Sequence, residues 1–175
     1  SDAVGDGQVT ISPSELTFTT LNWATPQAVT VSPVDDSVAE DSLLSYTLNH
    51  TAASTDTMYA GDAGVFFPSH IMDLFVYDDD ASGVLLSRTQ MSALEGSSDA
   101  VSVVLRSRPS SEVVVTYSFD TSQLSVSPST VVFGPGNWSS SVVVTVSALE
   151  DSDAEGTVPM AVWLSTTSSD DRYDG

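Results

Sequence analysis

The sequence predicts an all-β protein with the architecture of an immunoglobulin-like antiparallel β-sandwich. Along the chain, β-branched and aromatic residues alternate with polar residues at a period of two, which is typical of strands with one buried face. Prolines and glycines separate these segments, as they do at turns and sheet edges. No stretch shows the period of 3.6 residues that an amphipathic helix requires.

The alternation also locates individual strands. Apolar residues with outward-facing polar neighbours mark the clearest of them, and β-branched or aromatic content marks the others. The predicted strands lie over residues 28–34, 44–48, 71–77, 101–106, 113–119 and 142–147, with one more around Trp163.

A repeat organises the chain. Ile11–Asp41 aligns with Val126–Gly156 at an offset of 115 residues, and Ser54–Gly61 aligns with Ser168–Gly175 at an offset of 114. The alignment keeps an Asn-Trp pair and a Ser-Pro pair in step. About seven strands then fall within one repeat, which is the number expected of an immunoglobulin-like sandwich.

The repeat is cut unevenly, so that the chain holds about one and a half copies. We expect residues 1–80 to be the C-terminal part of a first repeat. Residues 81–175 would be a second repeat that lacks its last strand. Because the chain also starts abruptly at Ser1, we expect it to be a processed piece of a larger precursor.

The net charge excludes several classes of partner. The 175-residue, 18.3 kDa chain has 24 acidic and four basic residues, a formal net charge of −20 and a pI near 4.1. Such a surface repels nucleic acids and anionic lipids and attracts cations, and the longest apolar runs are too short for membrane insertion. Because the sequence has no cysteine, disulfides, thiolate catalysis and zinc–sulfur sites are excluded.

Acidic residues gather where the predicted strands end. Carboxylates crowded into one turn repel one another unless a cation lies among them, and flexible loops of oxygen ligands suit Ca²⁺ better than Mg²⁺. The clusters recur at the repeat spacing, which favours calcium over the alternative that they are solvated turn residues. They comprise Asp35, Asp36, Glu40 and Asp41; Asp78, Asp79 and Asp80; Glu95; and Glu150, Asp151, Asp153 and Glu155.

Three motifs resemble the Calx-beta domain: VDDSVAEDSLLSYTL at Val34–Leu48, DDD at Asp78–Asp80 and LEG at Leu94–Gly96. This family is known from sodium–calcium exchangers and from large extracellular tandem-repeat proteins. The chain is more similar to the second branch, which includes surface adhesins and fibres. The resemblance implies a β-sandwich that binds Ca²⁺ at one end.

The resemblance also implies a set of ligands. The chain departs from the family pattern because Glu150 replaces an expected aspartate, the second repeat has no terminal acidic run, and the first lacks its early glutamate. Each site therefore lacks one ligand. The implied ligands are Asp35, Asp36, Glu40, Asp78, Asp79 and Asp80 in the first repeat, and Glu95, Glu150, Asp151 and Glu155 in the second, with Asp120 as a weaker candidate.

An enzyme is not expected. His50 and His70 have no second histidine or serine motif at a catalytic spacing, and the carboxylates lie in hydrophilic loops without an aromatic cleft. Two sequons make Asn49 and Asn137 candidate N-glycosylation sites. For Asn137, which belongs to the repeated Asn-Trp pair, capping of a turn is an equally good explanation.

The incomplete repeats suggest the function. A sandwich that lacks strands exposes edges and apolar faces, which strands from a neighbouring subunit can cover, and head-to-tail donation without closure gives a filament. We therefore expect a non-enzymatic, extracellular structural subunit of a fibre or surface appendage, a homopolymer that binds Ca²⁺ and carries glycans. Two alternatives stay open: part of a long tandem-repeat cell-surface adhesin, and a calcium-sensing or ligand-binding module of a membrane protein.

Overall fold

The structure is a computed structural model that describes residues 7–40, 43–48, 50–59, 72–154 and 156–175. Within these residues the chain is all-β, without a helix, and every strand pair is antiparallel. The all-β prediction is therefore confirmed, and the arrangement is consistent with a β-sandwich. The strands are β1 (Val9–Ser12), β2 (Thr30–Pro33), β3 (Leu44–Leu48), β4 (Met72–Val76), β5 (Val84–Leu86), β6 (Ser98–Leu105), β7 (Val113–Ser118), β8 (Leu124–Ser127), β9 (Thr130–Phe133), β10 (Val142–Ala148) and β11 (Trp163–Ser168).

The chain divides into two compact units. Unit 1 comprises Ser1–Asp36 and Asp41–Asp78, and unit 2 comprises Ser37–Glu40 and Asp79–Gly175. Unit 1 holds two two-stranded sheets, β1-β2 and β3-β4. Unit 2 holds a four-stranded sheet of order β5-β6-β10-β8 and a three-stranded sheet of order β11-β7-β9.

The core of unit 2 lies between its two sheets. Every second residue of β6 and of β7 points inward, and Val103, Val113, Val115 and Phe133 are almost completely buried. Burying side chains of this size stabilises the fold by about 1.5–3 kcal/mol each. The alternating apolar residues of the sequence thus form the inner faces of two antiparallel sheets.

The same local geometry occurs in both units at the spacing of the repeat. In unit 1, Val9 of β1 lies opposite Pro33 of β2, and in unit 2, 115 residues on, Leu124 lies opposite Ala148. All four residue pairs of the β1–β2 ladder have such a counterpart in the β8–β10 ladder. Both units thus contain one antiparallel ladder of two strands in the same register, with its strand faces set by the same alternation.

β11 forms an edge of the three-stranded sheet, since it pairs only with β7. On its outer side, Gly175 and Thr166 exchange two backbone hydrogen bonds, of 2.8 and 3.2 Å. A groove of about 300 Å³ lies beside this edge and is lined in part by Val84 of β5, Leu164 of β11 and Tyr173. Among the described residues, the outer side of β11 is thus paired through Gly175, and the groove lies next to this edge.

Candidate functional site

Three consecutive aspartates follow β4. One carboxylate oxygen of each of Asp78, Asp79 and Asp80 lies within 4.8 Å of the others, and Asp78 and Asp80 are half-buried. Oxygens on opposite sides of one Ca²⁺ lie about 4.6–5.2 Å apart, because each lies at 2.3–2.6 Å from the ion. The donor type and the spacing therefore fit Ca²⁺, and this is the only group of three acidic or histidine ligands that close among the described residues.

The other predicted ligands of the first repeat are divided between the two units. Asp35 and Asp36 follow β2 in unit 1, and both are exposed. The Asp36 Oδ2 atom accepts a hydrogen bond of 3.4 Å from the Gln8 side-chain amide. Glu40 is half-buried and belongs to unit 2, and Asp41 lies outside the described residues.

In the second repeat, the structure brings the Leu94–Gly96 turn beside Glu150. Ala148, at the end of β10, accepts a hydrogen bond from Gly96 N–H and donates one to the Ser97 carbonyl. Gly96 has a φ of +69°, and a Cβ atom there would lie 2.9 Å from Glu150 Oε2. The backbone conformation therefore favours glycine, and a Cβ atom would in addition make the flexible end of the Glu150 side chain shift. Glu95 is exposed in the same turn.

The remaining acids of the second repeat cap their own turns. Asp120 Oδ1 accepts hydrogen bonds from the Ser122 hydroxyl (2.7 Å) and N–H (2.9 Å), and these two bonds lower the pKa of Asp120. Asp151 Oδ1 accepts one from Asp153 N–H (2.8 Å). Both geometries are those of Asx turns, which account for an aspartate at these positions without a metal. Glu155 lies outside the described residues.

The repeated Asn-Trp pair builds a turn in both units. Asn137 Oδ1 accepts a hydrogen bond from Gly134 N–H, and its Nδ2 donates to the Val132 carbonyl at 3.4 Å. Asn22 makes the same two bonds, with Thr19 N–H and the Thr17 carbonyl. These hydrogen bonds support the turn-capping explanation for Asn137. Asn49 lies outside the described residues.

The histidines and the two repeated tryptophans differ in their surroundings. His50 is exposed and His70 lies outside the described residues. Trp138 packs against the core of unit 2, and its carbonyl accepts a hydrogen bond from Leu105 of β6. Trp23, at the same repeat position in unit 1, is 73% exposed.

This difference in burial extends to other equivalent positions. Phe133 is completely buried, whereas Phe18, its counterpart in unit 1, is 55% exposed. Val144 is 1% exposed and its counterpart Val29 is 39% exposed. In unit 2, β6 and β7 help to cover these positions, and unit 1 has no counterpart of β6 or β7 among the described residues. We call Phe18, Trp23 and Val29 the open face of unit 1.

An anchor that the sequence did not predict follows β11. The Tyr173 hydroxyl donates to the Ser107 carbonyl (2.7 Å) and accepts from Ser107 N–H (3.1 Å), and Asp170 Oδ2 accepts from Ser110 N–H (2.7 Å). Burial acts to raise the pKa of Asp170, but the hydrogen bonds from Ser110 and Arg172 and the charge of Arg172 outweigh it, so the pKa is lowered. The recurrence of a tyrosine within Ser54–Gly61 and Ser168–Gly175 was the signal that could have revealed it.

Comparison with known proteins gives no match: no family model, no curated protein and no solved structure is similar enough to identify a relative. The resemblance to the Calx-beta domain therefore stays a prediction. In the described residues, no helix has the length and apolar character needed to cross a membrane.

Proposed function

We propose that the chain is a non-enzymatic structural subunit of an extracellular fibre or surface appendage, assembled head to tail as a homopolymer of Calx-beta-like, calcium-binding repeats. The observation that carries this proposal is the open face of unit 1. Phe18 and Val29 are exposed although their equivalents Phe133 and Val144 are buried in unit 2. Apolar side chains that are exposed at positions buried in the equivalent unit favour an interface, because leaving them in water costs free energy.

Two further observations support the proposal. The seven strands of unit 2 lie in sheets of four and three, as expected of an immunoglobulin-like sandwich. At the edge of β11, Thr166 donates one backbone hydrogen bond to Gly175 and accepts another from it, and such an edge can pair with a strand from a neighbouring subunit.

Calcium has a defined part in the proposed assembly. Asp78, Asp79 and Asp80 would hold the ion, since their carboxylate oxygens lie within 4.8 Å of one another. When bound, Ca²⁺ supplies positive charge to a chain of net charge −20, which lowers the repulsion between stacked subunits. The turns at Glu95 and Glu150 and at Asp35 and Asp36 would be further sites of cation attraction.

Sedimentation of the purified chain tests this function, first in millimolar Ca²⁺ and then in excess chelator. We expect fast-sedimenting polymers in Ca²⁺ that dissolve in chelator. Phe18→Ser should reduce polymer formation, because it removes apolar surface from the open face. Leu21→Ser is the matched control, since Leu21 is 94% exposed and its equivalent, Gly136, is no part of the core. A monomer under both conditions would contradict the homopolymer.

A further inference from the structure

We propose that the outward side of the four-stranded sheet of unit 2 is a lateral contact between copies of this chain, through which polymers associate side by side. The inference rests on the proposed function and deepens it, because it names a second surface by which the copies of a homopolymer meet. We call the outward residues of β5, β6, β10 and β8 the uncharged face. This face belongs to unit 2 and is distinct from the open face of unit 1.

Charge is distributed unevenly over unit 2. Residues 79–175 contain 13 acidic and four basic residues, yet Asp99 is the one charged residue within the seven strands that the structure describes there. Asp99 lies opposite the core residue Val146, and its Oδ2 atom accepts a hydrogen bond of 2.7 Å from Arg88 Nη1. The outward positions of these strands are therefore uncharged, and the other described acids of unit 2 lie in its loops.

The uncharged face follows from the alternation of its strands. Val103 and Val144 are buried in the core, so the residues next to them along β6 and β10 point outward. The outward positions of the four strands hold only serine, threonine, alanine, valine and leucine. Because most of these side chains are small, a second sheet can approach to about the 10 Å at which sheets pack face to face.

Three apolar side chains adjoin one another on this face. Leu85 of β5 lies directly opposite Val104 of β6. Val143 of β10 lies opposite Ser102, so it is a diagonal neighbour of Val104 at a distance of about 7–8 Å. Leu85 is 48% exposed and Val143 is 59% exposed. Packing these side chains against a second copy would remove apolar surface from water, which is favourable.

The outward side of the three-stranded sheet is also uncharged, but its apolar residues are separated. Trp163 lies at one end of this side, and the facing pair of Val114 and Val132 lies toward the other end. The row between them consists of hydroxyl residues: Ser165, Thr116 and Thr130. This side therefore presents no apolar cluster and serves as the comparison surface.

The distribution of charge identifies a second copy as the occupant. Two chains of net charge −20 repel each other wherever their acidic loops approach. Contact between two uncharged faces brings no carboxylates together and removes no charge from water. A strongly basic partner would be attracted to the acidic loops and not to this face. The face thus suits a neighbour that is uncharged here and acidic elsewhere, as a second copy is.

The area of the face limits the strength of a single contact. The sheet has four strands and its longest, β6, has eight residues, so the face measures at most about 26 by 19 Å, or about 500 Å². Two copies would bury at most about 1,000 Å², less than the roughly 1,200–2,000 Å² of a stable complex. One pair of copies should therefore associate weakly, whereas polymers that repeat the contact should form bundles.

Amide chemical shifts, followed from micromolar to millimolar concentration of the chain in chelator, test this contact without requiring a polymer. We expect the signals of Leu85, Val104 and Val143 to move as the concentration rises. The movement should grow with added salt, because salt screens the repulsion between acidic loops. Constant shifts on this face would overturn the inference, and so would association that weakens with salt, because the contact would then consist of ion pairs.

Val143→Glu should weaken the association at least about tenfold, because it places like charges in the contact. Leu85→Glu is a second variant with the same expected effect. Val132→Glu is the matched control, since Val132 is 45% exposed on the outward side of the three-stranded sheet. Equal effects of Val143→Glu and Val132→Glu would mean that the added charge, and not this face, determines the association.

Electron microscopy of the material formed in millimolar Ca²⁺ separates this inference from the proposed function. The unmodified chain and Val132→Glu should form bundles, and Val143→Glu should form single filaments. Concentration-dependent shifts on the uncharged face of a chain that forms no polymer in Ca²⁺ would support the lateral contact and contradict the head-to-tail homopolymer. Single filaments of the unmodified chain, with constant shifts in chelator, would do the reverse.

Discussion

The Tyr173 hydroxyl is bonded to both backbone groups of Ser107, donating to its carbonyl at 2.7 Å and accepting from its N–H at 3.1 Å. The two residues are 66 positions apart, and both are buried. Buried backbone N–H and carbonyl groups need hydrogen-bond partners, and the Tyr173 hydroxyl supplies them for Ser107 in the β6–β7 connection. The same two bonds hold the turn after β11 in place.

Tyr173→Phe should lower the free energy of unfolding by about 1–3 kcal/mol, because the Ser107 N–H and carbonyl lose their partner in a buried place. Chemical denaturation of unit 2, followed by Trp138 fluorescence or by exchange of core amides, measures it. Tyr59→Phe is the matched control and should change the stability of the chain alone by less than about 0.5 kcal/mol. Equal effects of the two variants would mean that the anchor is not what stabilises the turn.

Asp170 makes stability depend on pH. Its pKa is lowered in the folded chain, so its stabilisation is fully present above the ordinary carboxyl pKa of 3.8 and is lost as the pH falls through the lower folded value. At neutral pH, Asp170→Asn should cost about 1–2 kcal/mol, because the amide nitrogen cannot accept the Ser110 N–H.

The difference between Asp170→Asn and the unmodified chain should shrink as the pH is lowered below 3.8. Denaturant titrations at a series of pH values measure this difference. Taking the difference removes the general gain in stability that a chain of net charge −20 obtains from protonation. A difference that stays constant over this range would argue against an ionised, hydrogen-bonded Asp170.

Tyr117→Phe should stabilise unit 2 by about 1 kcal/mol, the opposite of Tyr173→Phe. The Tyr117 hydroxyl is buried without a hydrogen-bond partner among the described residues, and burial raises its pKa. Removing the hydroxyl eliminates a desolvation cost while the ring keeps its core contacts. Thermal or denaturant unfolding decides the sign, and destabilisation would show that the hydroxyl has a partner.

Gly96→Ala should destabilise the Leu94–Gly96 turn by about 1–2 kcal/mol, since an alanine at a φ of +69° is strained. The contact with Glu150 adds less, because the end of that side chain can move aside. Gly136→Ala is the control: Gly136 has no positive φ, and nothing lies within 4 Å of its added Cβ. If Glu150→Ala restored full stability to Gly96→Ala, the clash and not the backbone would be the cause.

Replacing Asp78, Asp79 and Asp80 by asparagine should weaken Ca²⁺ binding at least about tenfold, because three charged ligands become neutral. Calorimetric titration with Ca²⁺ measures the affinity. Glu15→Gln, Asp73→Asn and Asp171→Asn together give a control with the same change in net charge at exposed sites. If both triple variants lose a similar amount of Ca²⁺ affinity, the binding comes from general attraction by an acidic surface and not from a specific site.

The sequence predicted those features that depend on neighbouring residues. Period-two alternation located β6, β7 and β10 to within about three residues, and the offset of 115 anticipated that Asn22 and Asn137 occupy the same kind of turn. The bonds of Tyr173 to Ser107 and of Asp170 to Ser110 join segments 60 or more residues apart, so no local pattern encodes them. The sequence also could not predict that Phe18 is exposed and Phe133 is buried, although their local sequences are similar. Burial depends on which strands pack opposite each residue.

The anchor also has a mechanical consequence. Tension applied at Gly175 first meets its two backbone bonds to Thr166 and then the Tyr173 hydroxyl on Ser107, before any pair of the β11–β7 ladder is loaded. Through this hydrogen bond, Tyr173 transmits force to the buried β6–β7 connection. The hydrogen bonds between β11 and β7 are therefore not broken one after another from the end of the strand. Unit 1 lacks this anchor within the described chain, because its equivalent residue, Tyr59, is 61% exposed and meets no counterpart of Ser107.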